Sequence, residues 1–169
     1  TGELPEAEVT DTGFNASDIW GSATAQTFSE VSPAMHEEFA LSYEKRWLER
    51  FGLSYYGCCE PLHHKIDILR SIPNLRKISI SPWADVEAAA EVLSGDFVVS
   101  LKPTPAVLAG SSWEPDSVRS ELKNSLDSLS RFGCNVEIIM KDISTVRYKP
   151  ERLWEWSKIA SSVCEQYNT

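Results

Sequence analysis

The sequence predicts an α/β protein built from parallel strands, and a repeated pattern carries the prediction. A short apolar run followed by an amphipathic stretch occurs four times, starting with the runs at 53–60, 76–83, 97–102 and 136–142. Strands that alternate with helices are typical of βαβ units, in which helices connect neighbouring parallel strands. The residues DIWGSA at 18–23 predict one further strand.

Two architectures fit this alternation: an open doubly wound sheet and part of a (β/α)8 barrel. No glycine-rich phosphate-binding turn follows any of the predicted strands, which counts against a dinucleotide-binding sheet. A complete barrel takes about 250 residues, whereas this chain has 169. We therefore predict that residues 17–169 form about half of a TIM-type barrel and that residues 1–16 are an irregular lead-in.

Composition and charge narrow the class of protein. The net charge of −9, without a basic stripe, disfavours nucleic acid as a partner. No apolar run reaches the length of about 18 residues that a membrane span needs, and no signal peptide is recognisable. The four cysteines are too few for a secreted disulfide scaffold. These observations predict a cytoplasmic protein whose partners are neither nucleic acids nor membranes.

One helix is predicted from its start signal to its stop signal. Ser32 is a capping residue, Pro33 fits the first turn, and Gly52 ends the segment. An apolar stripe recurs within it at four-residue steps and comprises Phe39, Tyr43, Trp47 and Phe51.

Polar residues gather where the predicted strands end, at the edge on which barrel enzymes build their active sites. We predict three catalytic residues there, Cys58, Glu60 and Lys102. The residues predicted to bind substrate are Tyr56, Trp83, Asp85, Lys141 and Asp142. Trp83 is included because a tryptophan in a strand-to-helix loop can line an apolar pocket.

The stretch YYGCCEP at 55–61 offers metal ligands as well as thiols. Strand alternation predicts that Tyr56, Cys58 and Glu60 face the barrel interior and that Cys59 packs beneath a helix. Thiolate and carboxylate are zinc ligands, so Cys58 and Glu60 could supply two of them. His63 and His64 are predicted to be solvated residues in the first turn of a helix that starts at Pro61.

A reactive thiol without a metal is the alternative interpretation of Cys58. A nearby cation lowers the pKa of a cysteine, and Lys102 or Lys141 at neighbouring strand ends could supply that charge. Each lysine ends an apolar strand, where it either binds an anion or forms a salt bridge. We favour anion binding for Lys102, and for Lys141 a salt bridge to Asp142, Glu60 or Asp85.

Four stretches together resemble the C-terminal half of the uroporphyrinogen decarboxylase superfamily. They are FSEVSPAMHEEFALSYEKRWLERFG, YYGCCEP, LKPTPAVLA and VEIIMKDISTVRYKPERLW, and the resemblance covers roughly residues 17 to 167. The superfamily includes the decarboxylase and the cobalamin-linked methyltransferases that pass a methyl group to a thiol. The resemblance therefore implies the C-terminal half of a TIM-type barrel.

The resemblance also implies an activity, most closely that of a methyltransferase acting with a corrinoid protein and a thiol acceptor, without a covalently bound cofactor. Zinc would hold the thiolate that attacks the methyl group. Cys58 would be a zinc ligand, Glu60 a second ligand or a base, and Lys102 the group that orients an anionic substrate. The family's histidine ligand is replaced by Tyr56, and the last strand has no cysteine.

These departures leave other readings open. One is a decarboxylase-like lyase, and another is a non-catalytic barrel domain that binds a ligand or a partner protein. Half of a barrel also leaves strand edges and an inner face uncovered. We therefore predict that the chain pairs either with a second copy of itself or with a missing N-terminal half.

Overall fold

A computed structural model of the chain describes residues 13 and 15–167. It contains a single five-stranded sheet in which every described pairing is parallel. The strands are β1 (Trp20–Ala23), β2 (Leu53–Tyr56), β3 (Leu75–Ile80), β4 (Val98–Leu101) and β5 (Asn135–Ile138). The α/β prediction is confirmed, including the strand predicted at 18–23. The predicted lead-in at 1–16 falls largely outside the described residues.

The strands lie side by side in chain order, from β1 to β5. A doubly wound sheet reverses its strand order at a switch point, whereas successive strands of a barrel are neighbours throughout. The sheet is therefore consistent with about half of a barrel-like parallel α/β fold.

Helices connect the strands. They are α1 (Pro33–His36), α2 (Ser42–Leu48), α3 (Ile66–Leu69), α4 (Val86–Leu93), α5 (Ala106–Ala109), α6 (Pro115–Arg131) and α7 (Glu151–Cys164). A π-helical turn, Glu37–Leu41, joins α1 to α2. Three short 3-10 turns lie at Ala16–Asp18, Gln26–Phe28 and Glu165–Tyr167. Ser32 caps α1 as predicted, because its hydroxyl accepts a hydrogen bond of 3.2 Å from the backbone N–H of Met35.

The two faces of the sheet differ in chemistry. One face is apolar and packs in a single core with α2, α3 and α4; its strand residues are Tyr56, Ile78, Ile80, Val99 and Leu101. A second apolar cluster packs α6 against α7. The opposite face, here called the inner face, carries Tyr55, Lys77, Ser79, Ser100 and Glu137. It corresponds to the interior of a complete barrel.

The apolar stripe of the first helical segment lies on its outer side, because the π-helical turn changes which side chains face the sheet. Phe39, Tyr43 and Trp47 are 55%, 67% and 48% exposed. The buried residues of the segment are instead His36, Ala40, Leu41 and Leu48. A π-turn takes more residues per turn than an α-helix, so it shifts which positions of the segment face the sheet.

The helix predicted to start at Pro61 begins later. α3 covers only Ile66–Leu69, and both histidines lie in the turn before it. Their rings contact each other edge to face, 4.9 Å apart. His64 is exposed as predicted, whereas His63 is half-buried.

No helix among the described residues is both long enough and apolar enough to cross a membrane. α6 has 17 residues and alternates buried leucines with charged side chains. The cellular location of the protein stays a prediction.

Candidate functional site

Four polar residues meet at the carboxyl ends of β2 and β5 and are here called the rim cluster: Cys58, Cys59, Lys141 and Asp142. The ammonium of Lys141 lies 2.7 Å from Sγ of Cys58 and 3.1 Å from Sγ of Cys59. The two sulfur atoms are 3.6 Å apart. Cys59 donates a hydrogen bond of 3.0 Å to Asp142, which also forms a 3.3 Å ion pair with Lys141.

The contact between Cys58 and Lys141 depends on the curvature of the sheet. β3 and β4 lie between the two strands that carry these residues. Three interstrand spacings of a flat sheet amount to roughly 14 Å, more than a lysine side chain reaches. The strand ends therefore curl toward a common centre, as they do at the rim of a barrel.

The contacts within the rim cluster shift the pKa values of three of its four residues. Burial alone would lower the pKa of Lys141, but hydrogen bonds to both sulfur atoms and to Asp142 raise it above its ordinary value. The hydrogen bond from Cys59, together with the nearby ammonium, lowers the pKa of Asp142. Burial and the hydrogen bond to Asp142 raise the pKa of the Cys59 thiol. At neutral pH the cluster thus holds an ammonium, a carboxylate and a protonated Cys59 beside the sulfur of Cys58.

The backbone around the cluster needs special conformations. Gly57, which precedes Cys58, has φ of +99°, and a side chain there would come within 2.5 Å of Leu62. Asp142 has φ of +56°, a left-handed conformation that aspartate tolerates better than most residues. Both residues set the directions of the side chains that meet at the rim.

Glu60, predicted to be catalytic, holds the loops below the rim together. Its side chain is 2% exposed. One carboxylate oxygen accepts the backbone N–H of Ala25 and the other that of Cys58, both at 2.9 Å. The carboxylate thereby links the segment after β1 to the start of the loop at 57–60, here called the cysteine loop.

The donor set does not favour the predicted zinc ion at Cys58 and Glu60. Both oxygen atoms of Glu60 are already engaged, and an ammonium, which repels a metal cation, touches the sulfur of Cys58. Across residues 13 and 15–167, no three His, Cys, Asp or Glu side chains form a group that could hold a metal. Zinc binding stays a prediction, and no step below depends on it.

Lys102 lies on the inner face, close to the rim. It is 4% exposed, and its ammonium donates to Oη of Tyr55 at 2.6 Å and to Oγ of Ser100 at 3.0 Å. Ser79, the register partner of Ser100, donates a 2.7 Å hydrogen bond to the carbonyl of Cys58. These contacts connect the predicted catalytic lysine to the cysteine loop.

The predicted orientation of Tyr56 is wrong. Its side chain is fully buried in the core on the helix side of the sheet and does not face the interior. Its hydroxyl donates to Glu44 at 2.5 Å and lies 2.7 Å from Nε2 of His36. We assign Tyr56 to this buried network and do not propose that it binds substrate.

The sequence did not predict the buried network that His36, Glu44 and Tyr56 form. His36 is fully buried, and its pKa is lowered to about 4. Burial is the larger cause, and the positive charge of the nearby Lys65 is the next. Burial raises the pKa of Glu44. The π-helical turn brings residues 36 and 44 to the same side of the helix, and no pattern in the sequence marks that turn.

The remaining predicted residues divide between the rim and other positions. Lys141 and Asp142 form the ion pair proposed from the sequence, although Lys141 lies closer to the two sulfur atoms. Asp85 instead caps α4 by accepting a 3.0 Å hydrogen bond from Ala88. Trp83 is 75% exposed. No contact described here joins Asp85 or Trp83 to the rim cluster.

Comparison with known proteins adds no identification. No family model, no curated protein and no solved structure matches this chain. The resemblance to the uroporphyrinogen decarboxylase superfamily therefore stays a prediction from the sequence.

Proposed function

We propose that the rim cluster is the active site of a group-transfer enzyme in which the sulfur of Cys58 is the nucleophile. The observation that carries the proposal is the 2.7 Å contact between Sγ of Cys58 and the ammonium of Lys141. A cation beside a cysteine stabilises the thiolate, which is the nucleophilic form of the residue. In the chemistry that the family resemblance implies, this charge would come from zinc; in the present proposal it comes from the ammonium of Lys141.

Cys58 attacks an electrophilic carbon of a small-molecule substrate. A carbon–sulfur bond forms, and the leaving group departs with both electrons of the bond that breaks. Cys59 retains its proton and lies 3.6 Å from Cys58, so it is placed to protonate the leaving group. An acceptor then attacks the same carbon, the thiolate of Cys58 departs, and the proton of the acceptor returns to Cys59.

The group that passes through Cys58 follows from this cycle. An acyl group on sulfur remains open to attack by the acceptor, whereas a methyl group would leave a stable thioether after one turnover. We therefore propose acyl transfer for a cycle through Cys58. In the methyl-transfer version, which the resemblance implies together with a corrinoid protein, a substrate thiol takes the place of the nucleophile and Lys141 keeps it ionised.

Alkylation by iodoacetamide tests the nucleophile, with mass spectrometry locating the label. An ordinary cysteine is only a few per cent ionised at pH 7, so we expect Cys58 to react about tenfold faster in the folded protein than in concentrated urea, after correction for a free-thiol standard. Lys141→Met should remove that advantage. Lys123→Met, which removes an exposed charge on α6, should leave it unchanged.

The second candidate function is a partner-binding barrel domain. The exposed stripe of Phe39, Tyr43 and Trp47 favours it, because contiguous exposed apolar side chains mark interaction surfaces. If Cys58 reacts no faster in the folded protein than in urea, the enzymatic proposal is wrong and this candidate is favoured.

A further inference from the structure

The ammonium of Lys102 is buried and makes no direct ion pair, although the carboxylates of Glu137 and Asp142 are near enough to interact with its charge. Its side-chain hydrogen bonds go to uncharged acceptors, namely the hydroxyl groups of Tyr55 and Ser100 and, at 3.5 Å, the backbone carbonyl of Ser100. Within the described ranges, four ion pairs form and none of them includes Lys102. Burial of a charge without a direct counter-ion is costly, so an anion in contact with this ammonium would be stabilised there.

Lys77 shows how the same face treats a lysine that has a structural role. It lies on the inner face one strand away and forms a 2.6 Å ion pair with Glu137 across β4. Lys141 is likewise occupied, by two sulfur atoms and by Asp142. Of these three lysines, Lys102 is the one whose charge no carboxylate or thiol within contact distance neutralises.

A polar group without a partner lies at the end of the neighbouring strand. The backbone N–H of Lys102 donates to the carbonyl of Ile80, so Ser81, the next residue, adjoins it at the rim. Ser81 is 1% exposed, and its hydroxyl oxygen has no hydrogen-bond partner in the structure. An ammonium and a hydroxyl without a partner, carried at the ends of neighbouring strands, are donors that suit the oxygen atoms of an anion.

We propose that Lys102 and Ser81 bind an anionic group of the substrate, a carboxylate or a phosphate, and so hold its reactive carbon at Cys58. This inference deepens the proposed function and depends on it for the identity of the reacting atom. Ser79 and Ser100 connect the two sites, because Ser79 donates to the carbonyl of Cys58 and its register partner contacts Lys102. Lys141 thus serves the sulfur, and Lys102 serves the anion.

Two alkylating agents of nearly equal size separate these roles. Iodoacetate is an anion and iodoacetamide is neutral, so their rate ratio at Cys58, relative to that of free cysteine, reports anion binding beside the sulfur. We expect the rate with iodoacetate divided by the rate with iodoacetamide to be about tenfold higher at Cys58 than for free cysteine. The reason is that hydrogen bonds to charged groups are stronger than those between neutral groups. Lys102→Met should return it to the free-cysteine value while the iodoacetamide rate stays within about twofold, and Lys123→Met should leave it high.

Direct binding tests the anion site independently of the thiol. Acetate and inorganic phosphate are titrated separately into the ¹⁵N-labelled protein, and the backbone amide signals of Ser81 and Lys102 are followed by NMR. Saturable shifts with one anion, lost in Lys102→Met, support the site and identify the carboxylate or the phosphate as its ligand. Shifts with neither anion, or a rate ratio equal to that of free cysteine, overturn the inference.

The two proposals fail in different ways. Slow alkylation of Cys58 by both reagents, together with saturable anion binding, would refute the nucleophile and leave the anion site standing. Fast alkylation by iodoacetamide with no preference for iodoacetate would refute the anion site alone. Thermal unfolding of Lys102→Met shows whether the variant is folded, and the titration of the unmodified chain does not depend on it.

Discussion

Nε2 of His36 lies 2.7 Å from the hydroxyl of Tyr56, and both side chains are fully buried. Because that hydroxyl donates to Glu44, the neutral imidazole donates to the hydroxyl through Nε2. Nδ1 is buried and has no partner in the structure. Protonation of the ring would therefore place an unpaired N–H in the core.

This arrangement predicts that the protein loses stability in mild acid. The pKa of His36 is about 4 in the folded chain and 6.5 in the unfolded chain, so between these values the unfolded state binds more protons. The free energy of unfolding should fall as the pH drops from about 6.5 to about 4, by roughly 3 kcal/mol at most. Urea unfolding at several pH values measures it.

His36→Gln, which does not titrate, is the control for this prediction. The raised pKa of Glu44 acts in the opposite direction, since its contribution is present at low pH and is lost as the pH rises. Subtracting the pH dependence of the variant's free energy of unfolding from that of the wild type removes most of the Glu44 contribution. What is left reports the imidazole. An equally steep dependence in His36→Gln would mean that another group causes the acid sensitivity.

The hydrogen bonds of the Glu60 carboxylate predict that replacing this residue destabilises the protein even when no metal is present. A residue that served only as a zinc ligand would not show this effect. Glu60→Gln replaces one accepting oxygen by a donor, which leaves the backbone N–H of Ala25 or Cys58 without its partner. We expect the free energy of unfolding of chelator-treated protein to fall by about 1–3 kcal/mol. Glu87→Gln removes an exposed ion pair with Arg131 and should cost less than about 1 kcal/mol. Unchanged stability of the metal-free Glu60 variant would return this residue to consideration as a metal ligand.

The alternation of apolar runs and helices was enough to predict four of the five strands, because β-strand and helix periodicities differ over short windows, and the stretch DIWGSA indicated the fifth. The predicted orientation of the Tyr56 side chain was wrong for a physical reason. Side chains alternate only while the backbone stays extended, and Gly57, with φ of +99°, ends the extended conformation. The side chains of Cys58 and Glu60 therefore do not continue the face on which Tyr56 lies.

The composition of the rim could be predicted only in part. Parallel strands bring their carboxyl ends to one edge, so Cys58, Lys102 and Lys141 were expected near each other. Which lysine meets which group depends on the curl of the sheet and on the left-handed turn at Asp142. Neither feature has a signature in the sequence.

The hydrogen bond between Cys59 and Asp142 predicts which sulfur reacts. Asp142→Asn removes the negative charge that contributes to the raised pKa of Cys59, and asparagine tolerates the same left-handed backbone. We therefore expect a larger share of label on Cys59 at pH 8, by roughly threefold, because a lower pKa gives more thiolate. Fragment-ion mass spectrometry resolves the two adjacent positions. An unchanged ratio would show that Asp142 does not control the ionisation of Cys59.

Two neighbouring positions on the first helical segment predict opposite stability effects. Leu41 is fully buried, so Leu41→Ala should lower the free energy of unfolding by about 2–5 kcal/mol. Phe39 is 55% exposed, and Phe39→Ala should change it by no more than about 0.5 kcal/mol. Urea unfolding at low protein concentration measures both variants, with light scattering to record the molecular mass. A large loss at Phe39 that grows with protein concentration would instead place the exposed stripe in an interface between copies of the chain, because only an assembly makes stability depend on concentration.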